Sequence, residues 1–179
     1  MTPTTKRGSA DLSGKRAARI PSLVADLATP DAAVRMKARK ALVAIGKPAV
    51  PSLVRLLSHR KPHARWEAAK ALCGIADPLA ASALVNSLGD RDRDVRWLAA
   101  EGVAALGRNG LQPLLAAMLE RAPSSWFCES AHHVCHILVK RKRLGPILRP
   151  LLAALKEPEP EASAPLAAYA ALAGLRELS

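Results

Sequence analysis

The segment PSLVADL at residues 21–27 returns as PSLVRLL at 51–57, and SALVNSL at 82–88 is a looser third copy. Further along each copy, VRMKARKALVAIG (34–46), ARWEAAKALCGIA (64–76) and VRWLAAEGVAALG (95–107) align without gaps, at steps of 30 and then 31 residues. WFCESAHHVCHIL (126–138) fits at another step of 31, and PLAAYAALAGL (165–175) is a degenerate fifth copy. A period of this length marks a supersecondary unit that cannot bury its apolar face alone and must stack on copies of itself. Each unit opens with a short apolar stretch, often entered by Pro, then a polar turn such as TPDA, HRKPH or GDRDRD, then a longer stretch ending near Gly, the punctuation of two consecutive helices. In the longer stretch Val34, Ala38, Ala41, Leu42 and Ile45 share one face at a 3.6-residue period. The unit is a helix pair.

Composition agrees. Half of the 179 residues are hydrophobic, yet the aromatic residues are only Trp66, Trp97, Trp126, Phe127 and Tyr169; an Ala- and Leu-rich chain suits closely packed helices and excludes an all-β fold. The expectation is an all-α fold of about five antiparallel helix pairs, with units near 20–50, 51–80, 81–111, 112–145 and 146–179, preceded by a basic, flexible arm over residues 1–19. Arg, Lys, Pro or Asp interrupts every apolar run before the ~20 residues of a membrane span, and no apolar stretch follows the basic start as a secretory signal would require. The cysteine count is odd, and Cys128 and Cys135 stand seven residues apart on one expected helix, ~10 Å along its axis and too far to bond. A reducing cytoplasm is the expected location.

The run Leu88, Asp90, Asp92, Val95, Arg96, Ala99 and Ala100, an L-x-D-x-D-x-x-V-R-x-x-A-A pattern, resembles the HEAT repeat in the short bacterial form also seen in phycobilisome lyases. The likeness spans about residues 20–179 and is strongest in the first three units; Phe127 and Pro165 replace the arginine in the fourth and fifth. The resemblance implies a right-handed α-solenoid whose second helices line a concave surface. It also implies that Arg35, Arg65 and Arg96 form a structural ladder, hydrogen-bonded to turn aspartates between repeats.

Opposite the buried stripe of the second helices lie Met36, Trp66, Trp97 and Cys128, with Lys40, Lys70, Glu101 and His132 one turn further along. Tryptophan interleaved with lysine suits cation–π contact, base stacking or an apolar anchor with a charged rim. Residues 1–75 carry 15 basic and 4 acidic side chains, a net +11, whereas residues 76–179 carry 12 and 11, a net +1. A field so polarised draws negatively charged partners and weakens with salt. Lys37, Arg39, Lys40, Trp66, Lys70, Trp97, Glu101 and His132 are therefore the candidate partner-binding residues. The basic run at 140–143 lies between helices and reads as a loop feature.

Cys128, His132 and His136 recur at i, i+4 and i+8 beside His133 and Cys135, types that ligate zinc, but no second Cys/His pair with finger-like spacing accompanies them. No metal and no cofactor is expected. Phosphate loops, G-x-S-x-G elbows, H-E-x-x-H motifs and the His-Glu dipeptides of HEAT-type deoxyhypusine hydroxylases are all missing from the sequence. Of the trio that HEAT-like alkylpurine glycosylases place on a basic wall, the only carboxylate available is Glu101 beside Trp97. The expected function is a non-enzymatic scaffold that binds an acidic protein through its inner surface. Nucleic-acid binding is the alternative, and a bilin-lyase-like role a lesser one.

Overall fold

The computed structural model describes residue 14 and residues 16–120, 124–141 and 144–177. Among these, ten α-helices follow one another without a strand: α1 Ile20–Asp26, α2 Ala32–Ile45, α3 Val50–Leu56, α4 Pro62–Ile75, α5 Ala81–Asn86, α6 Arg93–Ala105, α7 Arg108–Glu120, α8 Ser125–Leu138, α9 Gly145–Ala154 and α10 Pro160–Glu177. The arm expected at the start lies largely outside the described residues, and residues 16–18 are already helical.

The turns between paired helices explain where the second helix of each pair begins. Asp31, in extended backbone, accepts hydrogen bonds from the amides of Ala33 and Val34 at 2.7 and 3.2 Å. Asp92 does the same for Asp94 and Val95 at 3.0 and 3.1 Å, and the Ser124 hydroxyl accepts from Phe127 N–H. Such caps satisfy helix amides that lack an intrahelical partner and contribute about 1 kcal/mol each. The other end is set by backbone of positive φ at one repeated position, occupied by Gly46 (75°), Ala76 (52°) and Gly107 (60°).

The chain divides into two compact units, residues 1–75 and 76–179. A division of this kind is natural where repeats contact only their neighbours. In the first unit α1 pairs with α2 and α3 with α4, while α2 and α4 lie side by side over a core of Leu27, Ala38, Leu42, Leu53, Ala68 and Leu72, all at most 2 % exposed. In the second unit α5 pairs with α6, α7 packs on both, and α8 lies against α6; Leu84, Val103, Leu111, Leu115, Val134 and Leu138 are buried there.

The last helix leaves the row. As the second helix of its pair, α10 should stack on α8 as α4 does on α2, but its main neighbours are α9 and α7, with less contact to α8. Its inward face is Ala164, Ala168, Ala171 and Leu175, narrow enough to seat closely, and Gly174 faces Ile147 of α9. The α7 that receives it starts at Arg108, directly behind Gly107, upstream of the boundary expected near residue 112.

The three positive-φ positions generate a paired test. An L side chain in the left-handed region costs roughly 1–2 kcal/mol, more than the ~0.4–1 kcal/mol by which glycine favours the unfolded chain. Ala76→Gly is thus expected to raise stability by about 0.5–1 kcal/mol in urea unfolding. Gly107→Ala should lower it by at least as much, because the added Cβ would stand 2.6 Å from Arg141 Nη1 at a φ of +60°. Opposite signs would contradict this account of the helix ends.

Candidate functional site

Helices α2 and α4 carry Arg35, Lys37, Arg39, Lys40, Arg65 and Lys70 against one acid, Glu67. Glu67 is buried, at 5 % exposure, which an unpaired carboxylate does not tolerate. It is held by two cations of the neighbouring helix: Arg39 Nη1 donates to Oε2 at 2.7 Å, and Arg35 Nε lies 3.4 Å from Oε1. The Arg39 guanidinium also sits 5.3 Å from the centre of the Trp66 ring, within cation–π range. Arg39 is therefore engaged with both half-buried Trp66 and Glu67. Lys37, Lys40 and Lys70 are exposed, and among the described residues they enter no hydrogen bond or ion pair.

The three arginines at the repeated position make the same main-chain contact. Arg35 Nη1 donates to the carbonyls of Thr29 and Pro30 at 2.9 and 2.6 Å. Arg65 Nη1 donates to His59 and Arg60 at 3.0 and 3.3 Å, and Arg96 Nη1 to Asp90 and Arg91 at 2.9 and 3.4 Å. Each arginine thus clamps the carbonyls of the turn inside its own helix pair. The turn aspartates Asp31 and Asp92 each accept two helix amides on Oδ1.

In the second unit the α6–α8 seam holds a cavity of about 220 Å³ lined by Arg93, Arg96, Trp97, Glu129, His132 and His133, among others. Trp97 is 54 % exposed, and the ring packed on it is His133, with centroids 4.0 Å apart. His133 Nε2 also lies 2.9 Å from Glu101 Oε1, so the partner of Glu101 across the seam is His133. Arg96, besides clamping its turn, lies 5.1 Å from the centre of the exposed Trp126 ring.

Cys128, expected from the sequence to be equivalent to Met36, Trp66 and Trp97 on an open stripe, does not stand on an open surface. Met36 is exposed, but Cys128 is 1 % exposed, and the start of α10 lies over this end of α8, where Ser125 Oγ donates to Glu161 Oε1 at 2.6 Å. Burial, aided by the charge of Glu161, pushes the Cys128 thiol up to about 11, and burial alone takes Cys135 to about 12. Thiols held so far above neutrality are poor nucleophiles and poor ligands. His132 and His136 stack at 6.3 Å, and among the described residues no three His, Cys, Asp or Glu side chains converge as a metal site. Cys128, His132 and His136 are thus not gathered into one ligand set.

Glu67, Arg93, Glu129 and His133 belong to these surfaces and were not singled out from the sequence as partner-binding. Glu67 was detectable as the lone acid on two basic helices. His133 was detectable as the imidazole at the position held by Ala41, Ala71 and Gly102 in the other repeats.

His132 gives the seam a pH signature. Among the described residues its buried Nε2 has no hydrogen-bond partner, and desolvation first, then the charges of Lys156, His136 and His133, lower its pKa from 6.5. The folded state binds this proton more weakly than the unfolded chain, so the associated stability is present above the ordinary histidine range and is lost as pH falls through it. The melting temperature should therefore decline between about pH 7.5 and 5.5, and His132→Gln should flatten that decline. An unchanged slope in the variant would remove His132 from this role.

No curated protein matches the chain. Two crystal structures of engineered proteins from the Northeast Structural Genomics Consortium are similar to it. One is 20 % identical with a TM-score of 0.45, covering 93 % of this chain and 88 % of that one. The other is 19 % identical with a TM-score of 0.46, covering 97 % and 95 %. A family model described as HEAT repeats matches residues 20–104 and again 50–131. These segments together span more than half of the sequence and contain all three arginine clamps, and the chain belongs to the HEAT-repeat family of α-solenoid proteins.

Proposed function

We propose that the protein is a non-enzymatic HEAT-repeat adaptor that binds an acidic protein through the basic faces of α2 and α4. The observation that carries this reading is the difference between the arginines and lysines of those helices. The single carboxylate is consumed by Arg35 and Arg39, so it neutralises none of the exposed Lys37, Lys40 and Lys70. Three solvated ammonium groups beside a half-buried tryptophan form a surface that attracts negative charge at long range. Compact, strongly hydrated ammonium groups are also suited to interchangeable carboxylates more than to one fixed bidentate geometry. A catalytic reading lacks comparable support. Glu101 is paired with His133, and the buried thiols of Cys128 and Cys135 are held far above neutrality.

Titration of the full chain with a poly-glutamate peptide and, separately, with a random-sequence duplex DNA of matched charge tests the reading. Binding to the peptide should fall steeply between low and moderate salt. The Lys37→Glu, Lys40→Glu, Lys70→Glu triple variant should weaken it by at least tenfold, while Lys140→Glu with Arg149→Glu should change it little. Equal losses from both sets would reduce the charge asymmetry to a solubility feature. Tighter binding of the DNA at the same salt would favour the nucleic-acid alternative.

A further inference from the structure

Helix α10 presents a face that a solvated helix does not have. Ala164, Ala168, Ala171 and Leu175 are buried, and the opposite face consists of Ala162, Leu166, Tyr169, Ala170 and Ala173, all exposed. Leu166 is 78 % and Tyr169 66 % exposed. No charged side chain occurs between Glu161 and Arg176, so three turns of solvent-facing helix lack the polar face such a helix ordinarily carries. A contiguous apolar patch in place of one marks an interaction site.

The order of residues along this face identifies what covers it. Leu166 and Tyr169 flank a midpoint between residues 167 and 168; Ala162 and Ala173 are equidistant from that point, and so are Glu159 and Arg176. A two-fold axis there brings each residue opposite its mirror position in a second copy, as an isologous interface requires. Leu166 then meets Tyr169 in both directions, small Ala162 meets small Ala173 at each end, and exposed Glu159 meets exposed Arg176 twice. Helix pairing with large side chains central and alanines outside permits close approach of the axes. Charge on the rest of the molecule points the same way. Residues 1–75, at net +11, repel their own kind, whereas residues 76–179, at net +1, do not.

We infer that α10 is a self-docking surface, through which two copies of this chain associate by antiparallel pairing of their α10 helices about an axis between Leu166 and Tyr169. A single three-turn face is smaller than the ~800 Å² per partner of a standard interface, so the association is reversible and concentration-dependent.

Sedimentation equilibrium of the full chain at moderate salt, from about 1 to 300 μM, is the test. The weight-average mass should climb from 19.0 kDa toward twice that value. Leu166→Glu with Tyr169→Glu should leave a monomer throughout, with an unchanged helical spectrum because both positions are solvent-facing. Arg176→Glu should weaken association several-fold, and adding Glu159→Arg to the same chain should restore it. This restoration reads the antiparallel register and decides the matter if the double glutamate variant folds poorly. A monomer at every concentration would assign the face to another occupant and overturn the proposal. A dimer that survives the glutamate pair, or a charge swap without rescue, would overturn it as well.

Discussion

The arrangement depends on a main-chain problem created by tight turns between paired helices. A turn of a few residues leaves carbonyls with no partner in either helix, and buried carbonyls must find donors. Three times the same solution appears: an arginine one turn into the second helix reaches back to the carbonyls five and six residues upstream. A charged donor on a neutral carbonyl is worth more than an ordinary hydrogen bond. The reach of the side chain also fixes the angle between the turn and the helix that follows. Stacking of successive pairs inherits that angle. The arginine is therefore a constraint on geometry before it is a surface charge, and Arg65 and Arg96 are correspondingly buried, at 6 and 8 % exposure.

Where the clamp is missing, the pattern loosens. Phe127 stands at its place in α8 and Pro165 in α10, and neither can donate to a turn. Helix α8 still lies beside α6, held by the Trp97–His133 stack and the Glu101–His133 contact. Among the described residues helix α10 has no such stacked or ion-paired histidine contact with α8. Its link to α8 is at its start, through Ser125 and Glu161, and its length is free to settle on α7 and α9. Alanines at the buried positions make that seat close, and the same low-polarity composition leaves Leu166 and Tyr169 in the open.

Much of this was legible in the sequence because local rules act alone there. Period, caps and helix ends depend on neighbours within a few residues, so the unit, its turns and the arginine position could be read from spacing. The candidate surfaces depend on which helix lies across the seam, and spacing does not encode that. An ideal helical wheel puts Cys128 in line with Met36 and Trp97, yet the start of α10 covers it. The wheel sets His132 opposite Glu101, whereas the imidazole one residue further makes the contact, a displacement of ~100° around the helix. Arg39 read as a free cation because its anion, Glu67, belongs to the next repeat, 28 residues away. Arg39 itself stands where the other repeats have Ala69, Ala100 and Ala131, so the arginine, and with it this ion pair, is a departure from the repeat rather than part of it.

Attraction to a polyanion and docking of an apolar face place opposite demands on a surface. Dense like charge keeps molecules apart and soluble, while an exposed apolar stripe associates only where that repulsion is weak. A globular domain with one shared core would set these demands against each other at short range. In a repeat chain each pair is stabilised chiefly by its neighbours, so composition can change from one end to the other without disturbing the packing between. The change from net +11 to net +1 falls at residue 75, where the contacts also divide the chain. The clamps on either side of that division, Arg65 and Arg96, are made in the same way. The clamp is thus the same in each unit, and the surface chemistry each unit carries is free to differ.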